Sequence, residues 1–103
     1  MIIEDFGTLS NGKECKLYTL QTPALDLSVT DYGTILVNLI VKDGAKRTDI
    51  VLGFTNAKDY ETKNDLCFGC NVGRNANRIK NGKFTLNNVA YSLDQNDGKN
   101  NLH

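Results

Sequence analysis

Apolar and polar positions along this chain recur with a period of two far more often than with a period near 3.6. Leu25, Leu27 and Val29 interleave with Asp26, Ser28 and Thr30, the signature of a half-exposed strand. After a turn at Tyr32-Gly33 the pattern resumes in Ile35, Val37, Leu39 and Val41. Leu36 and Ile40 on the opposite face of that run are apolar too, which predicts a strand covered on both sides. Cys15 to Thr22 is a further β-rich run, closed by Pro23, whose missing N–H disfavours a continued central strand. Thr48 to Phe54 is another, with Val51 and Leu52 breaking strict alternation. Towards the end of the chain, Phe84 and Leu86 share one face, as do Val89, Tyr91 and Leu93. Asn87-Asn88 between them tolerates positive φ, so the segment predicts a β-hairpin.

Turn signals punctuate the runs at Asn11-Gly12, Asp43-Gly44, Asn81-Gly82, Asn87-Asn88 and Asp97-Gly98. No helical period competes with them. Asn56 offers a cap for a short turn leading to Tyr60, but the polarity of residues 56–65 predicts a loop. Several strands at short spacing predict an all-β fold, an antiparallel β-sandwich.

Charge removes some classes of function. Twelve basic and twelve acidic residues cancel, leaving no electrostatic footprint for nucleic acid or an acidic membrane, and neither partner is expected. The longest apolar run, Ile35 to Val41, is interrupted by Asn38 and is too short to span a bilayer. Met1 to Asp5 lacks the basic start and apolar core of a secretory signal, and no Asn-x-Ser/Thr sequon occurs, so a cytoplasmic location is expected. Neither a GxGxxG nor a GxxxxGK[ST] phosphate loop is present.

Three cysteines, Cys15, Cys67 and Cys70, do not make a complete disulfide framework. Cys67-Phe68-Gly69-Cys70 has the CxxC spacing, but Asn71-Val72-Gly73 is a poor helix start for a redox motif. Zinc would need two more ligands. The expectation is that these are small apolar bystanders, with no metal and no cofactor.

The candidate chemistry lies on either side of the predicted hairpin. Two of the three arginines, Arg74 and Arg78, precede it and the single histidine, His103, follows it. A hairpin returns the chain to its starting end, so Arg78 and His103 are predicted to converge. A guanidinium beside an imidazole is a plausible half of an active site. Polar loop residues such as Asn77 and Arg78 are nonetheless solvated surface more often than ligands. Tyr32, Tyr60 and Tyr91 are read as structural.

The succession Gly73-Arg74-x-Ala76-Asn77-Arg78-Ile79, Asn81-Gly82-Lys83-Phe84, Tyr91-x-Leu93 and Asn96-Asp97-Gly98-Lys99-Asn100-x-Leu102-His103 resembles the aldose 1-epimerase (galactose mutarotase) family. The likeness extends back through Tyr32-Gly33 and through Val51-Leu52-Gly53-Phe54 with Asp59-Tyr60. Nearly the whole chain thus reads as the N-terminal part of a single mutarotase-like β-sandwich domain, 1–103, truncated after the Leu-His motif. It would be about the first third of a complete member.

The resemblance implies interconversion of the α and β anomers of aldohexoses such as galactose and glucose. A base takes the anomeric proton while an acid protonates the ring oxygen, and the roles reverse on closure. It places the main base, a glutamate, and the main acid, a second histidine, beyond residue 103. It assigns Asn77 and Arg78 to substrate hydroxyls, and His103 to substrate binding and an assisting catalytic role near the ring oxygen. Arg74 would hold the loop or pair with a carboxylate. Asn75 replaces a usually apolar residue, and would need hydrogen-bond partners if buried. Two alternatives stand beside the enzyme: a non-catalytic carbohydrate-binding module, and a structural fragment completed by the missing C-terminal portion as a separate chain.

Overall fold

The alternating stretches fold into a meander of five antiparallel strands in sequential order: β1 (Ile2–Thr8), β2 (Glu14–Gln21), β3 (Leu25–Thr30), β4 (Leu36–Asp43) and β5 (Lys46–Asp49). The structure is a computed structural model describing residues 1–103. Contacts divide the chain into two units, Met1–Asn71, which holds this sheet, and Val72–His103. No helix is long and apolar enough to cross a membrane.

Strand β1 departs from expectation, because Ile2-Ile3-Glu4-Asp5 shows no clean alternation. Its pairing with β2 is also interrupted by a bulge between Asp5 and Gly7. Strand β5 lies earlier than the Thr48 to Phe54 run. The Asp49 carboxylate explains why the ladder stops there. It accepts the amides of Leu39 (3.1 Å) and Val51 (3.1 Å) and the Asn38 side-chain amide (2.5 Å). Donors that a longer strand would use for pairing are thereby satisfied by a side chain.

The period of β3 is as predicted, but its faces are reversed. Asp26, Ser28 and Thr30 are buried, whereas Leu25 is exposed. Pairing places Thr19 opposite Ser28 and Gln21 opposite Asp26. The Thr19 and Ser28 hydroxyls share a hydrogen bond of 2.9 Å, and Asp26 is held by Lys42 at 2.5 Å and Arg47 at 2.9 Å. These partners offset the cost of burying polar groups, which is why this face tolerates coverage. The expectation that β4 is covered on both sides is not met: one face is buried at and just before its start, and the other is only half-covered. Ile35 and Val37 are buried, while Leu36, Leu39, Ile40 and Val41 are half-buried.

Segment 56–65 is not all loop. It contains α1 (Ala57–Lys63), capped by Asn56, whose side chain accepts the Asp59 amide at 2.9 Å. Its polarity follows from its shortness, since only Ala57 and Tyr60 face inward. They join Phe6, Leu9, Cys15, Ile35 and Val37 in the core, with Leu17, Tyr32 and Phe54 against it. Phe54 meets Tyr60 edge-on at 5.2 Å.

The second unit comprises β6 (Arg78–Ile79), a single 3₁₀ turn at Lys80–Gly82, β7 (Lys83–Leu86), β8 (Val89–Ser92) and β9 (Asn101–Leu102). The hairpin has the predicted two-residue connection. Asn87 (φ 50°) and Asn88 (φ 64°) both adopt the left-handed conformation that matches the twist of the strands. Phe84 stacks on its cross-strand partner Tyr91 at 4.9 Å.

Candidate functional site

Strands β6 and β9 are short, and their pairing places the candidate residues. Arg78 lies opposite Leu102 and Ile79 opposite Asn101. One residue beyond each pairing, the His103 amide donates to the Asn77 carbonyl at 2.9 Å. The Asn77 amide donates back to Nδ1 of the His103 ring at 3.2 Å. Both residues have positive φ, 62° for Asn77 and 61° for His103. For asparagine that region is accessible because its short polar side chain bonds locally, and here Asn77 Oδ1 accepts the Arg78 amide at 2.9 Å.

Convergence of Arg78 with His103, predicted from the hairpin, is therefore found at the level of the main chain. The two residues are joined through Asn77 and Leu102 rather than by a direct side-chain contact. Because Nδ1 of His103 accepts a hydrogen bond, the neutral ring carries its proton on Nε2. This leaves Nε2 as the ring's remaining polar atom for a ligand. Asn77, Arg78 and His103 are all exposed, as a site that receives a soluble ligand requires.

Arg78 is aimed by Asp97. Its Nε donates to Asp97 Oδ2 at 2.6 Å, leaving the two terminal nitrogens of the guanidinium to face other acceptors. Both side chains are substantially exposed, 54% and 37%, so the pair contributes orientation more than stability. Asp97 is itself placed by reciprocal backbone bonds with Asn100, at 3.1 and 2.9 Å.

A set of asparagines fastens the surrounding turns. Asn96 accepts the Leu102 amide at 2.7 Å and donates to the Leu102 carbonyl at 3.0 Å. Asn101 donates to the Asp94 carbonyl at 2.8 Å, and Asn100 accepts the Asn81 amide at 3.2 Å. The sequence gives Asn96, Asp97 and Asn100 only as members of the motif, and Asp97 also as half of a turn, without assigning them these fastening roles. The density of Asn and Asp over residues 94–101 was the available signal, since such side chains satisfy main-chain groups where strands are too short to do so.

Two secondary expectations fare differently. Arg74, expected to hold the loop or pair with a carboxylate, is exposed and pairs with no carboxylate of residues 1–103. Asn75 is exposed, so its amide is hydrated and the anticipated burial cost does not arise. Among the cysteines, Cys15 is buried, and its thiol pKa is pushed up first by that burial and then by the charge of Asp31. No three or more His, Cys, Asp or Glu side chains gather in a metal-binding arrangement.

Comparison with known proteins gives a consistent picture. A family model described as aldose 1-epimerase matches residues 16–103. Galactose mutarotase from Sus scrofa is 41% identical over 100 residues, covering 95% of this chain and 29% of that protein. Aldose 1-epimerase from Streptococcus thermophilus is 36% identical over 102 residues, covering 97% of this chain and 29% of that protein. The crystal structure of galactose 1-epimerase from Lactobacillus acidophilus NCFM superposes with a TM-score of 0.72 at 26% identity, over 99% of this chain and 29% of that one. The chain thus spans less than a third of the length of these relatives, and its fold class is that of an all-β sandwich.

Proposed function

We propose that this chain, which belongs to the aldose 1-epimerase family, supplies the N-terminal part of a single sandwich domain that interconverts the α and β anomers of aldohexoses such as galactose and glucose. The observation that carries the reading is the Asn77–His103 pair, which sets the neutral ring's proton on Nε2, while the next residue after Asn77, Arg78, has its guanidinium oriented by Asp97. Neutral Nε2–H is suited to donate towards a ring oxygen or hydroxyl, and to accept once that proton has moved. Arg78 offers its free nitrogens to sugar hydroxyls, and the exposed Asn77 is assigned to the same task.

Ring opening needs a base at the anomeric hydroxyl and an acid at the ring oxygen in the same step. The family resemblance assigns the main members of that pair to chain beyond residue 103. On this reading His103 assists rather than leads, and the 103-residue chain by itself turns over no sugar. A cytoplasmic working place belongs to the same proposal.

Polarimetry tests it. The complete polypeptide carrying this chain should speed the relaxation of freshly dissolved α-D-galactose, whereas residues 1–103 alone should leave it at the buffer rate. Relaxation at the buffer rate with the complete polypeptide would refute the enzyme reading, and saturable sugar binding in that sample would establish the non-catalytic module instead. Completion by a separate chain predicts that rate enhancement appears only on mixing the two pieces.

A further inference from the structure

We propose that Cys67 and Cys70 form a reversible dithiol/disulfide pair that exchanges with small disulfides of the glutathione class. This pair lies in the first unit and rests on none of the sugar chemistry above. The CxxC spacing alone pointed to bystanders, because a redox motif on a helix start was not to be expected here. What the fold supplies instead is a tight turn.

The Cys70 amide donates to the Cys67 carbonyl at 3.2 Å, closing a four-residue turn with Gly69 at φ 65° in its third position. Such a turn holds its outer Cα atoms within about 7 Å, overlapping the roughly 4.4–6.8 Å that a disulfide spans. Both residues are exposed, and neither sulfur is otherwise committed to a disulfide.

The turn is also held in shape before any bond forms. Asn64 accepts the Phe68 amide at 2.7 Å and donates to the Phe68 carbonyl at 3.2 Å and to Cys70 Sγ at 3.6 Å. The Leu36 amide donates to the Gly69 carbonyl at 2.9 Å. A Cβ on Gly69 would lie 2.0 Å from the Leu36 carbonyl oxygen, so only glycine permits this approach. Asn71, next to Cys70, donates to the Thr34 carbonyl and hydroxyl at 3.1 and 3.2 Å. Closing the disulfide therefore orders little that is not already ordered. A metal is a poorer occupant, since no third or fourth ligand stands near the pair.

The exchange balances without a further reactant. A Cys67 thiolate attacks one sulfur of glutathione disulfide, forming a mixed disulfide and releasing one glutathione thiolate. Cys70 then attacks the Cys67 sulfur and releases the second glutathione. Two protein thiols are oxidised, one glutathione disulfide is reduced, and the two thiol protons end on the released glutathiones. Burial and then the neighbouring Cys67 push the Cys70 thiol pKa up, which suits Cys70 to the second, resolving step. An exposed bond closing so short a ring constrains the unfolded chain little, which favours reversibility over a permanent staple.

The test equilibrates the purified protein in glutathione buffers from fully reduced to fully oxidised, blocks free thiols, and reads peptide masses. The expected result is a peptide containing Cys67 and Cys70 that loses two hydrogens as the buffer becomes oxidising and regains them in reducing buffer. Buried Cys15 serves as an internal control and should stay a thiol. Cys67→Ser and Cys70→Ser should each leave the remaining cysteine as a stable glutathione mixed disulfide. Independent glutathione adducts on both cysteines of the unsubstituted protein, or free thiols across the whole range, would overturn the proposal.

Discussion

Asn77 carries three duties at once: its amide holds the His103 ring, its carbonyl holds the His103 amide, and its side-chain oxygen caps the Arg78 amide. Side-chain replacement at Asn77 removes only the last of these, whereas replacement at Arg78 removes the donors themselves. In the complete polypeptide, Arg78→Ala should lower kcat/KM for galactose by about 10- to 100-fold, the worth of a hydrogen bond from a charged donor. Arg78→Lys should not restore it, because an ammonium lacks the planar fork that Asp97 orients. Asp97→Asn should raise KM by no more than about fivefold with little change in kcat, as befits an exposed pair that aims Arg78 rather than touching sugar. Steady-state polarimetry on the three variants separates these outcomes. The motif made Asn77, Arg78 and His103 legible in the sequence. Asp97 was legible as a member of the motif and half of a turn but not as the partner of Arg78, because that reach depends on a bridge with Asn100 that no local pattern announces.

Elements were legible where alternation met a decisive turn, as in the hairpin with Asn87-Asn88 between its strands. Alternation in β3 established the period but not which side would be covered, since that depends on what packs above each face. Helix α1 escaped because a seven-residue helix needs only two inward positions, too few to show a period. Its cap is testable: Asn56→Ala should reduce unfolding free energy by about 1 kcal/mol in urea titration. Asp49 makes the end of β5 sensitive to acid. Burial alone would raise its pKa, but hydrogen bonds from the Asn38 side chain and from the Val51, Leu39 and Ile50 amides outweigh that and hold it below the usual carboxylate range. A depressed folded-state pKa stabilises the fold above the unfolded carboxylate's value of about 4, and this contribution fades as pH falls through the folded value. Urea titrations at several pH values should therefore show Asp49→Asn less stable than the unsubstituted protein near neutrality, with the gap closing towards acid.

At the scale of the whole molecule, the unexpected orientation of the five-stranded sheet matters most. The face opposite the buried polar side chains presents Ile3, Leu20 and Leu25 to solvent, at 55, 50 and 39% exposure. Tyr18, Leu27, Leu39 and Val41, half-buried, share that face by register. A sandwich covers such a face with a second sheet about 10 Å away. Residues 1–103 alone should bind a hydrophobic dye and self-associate in sedimentation. Leu20→Lys should weaken both while leaving the far-ultraviolet circular dichroism of the sheet intact. The reciprocal bonds between Asn77 and His103 carry a different consequence. They join positions 26 residues apart, so they also close the largest loop of the second unit. The entropy of that closure is lost whenever the unit folds, with or without a ligand. A sugar that engages the closed form and not the open one would draw the whole loop towards closure by mass action. Occupancy of the site and closure of the loop that carries the hairpin are thus a single equilibrium read at two places.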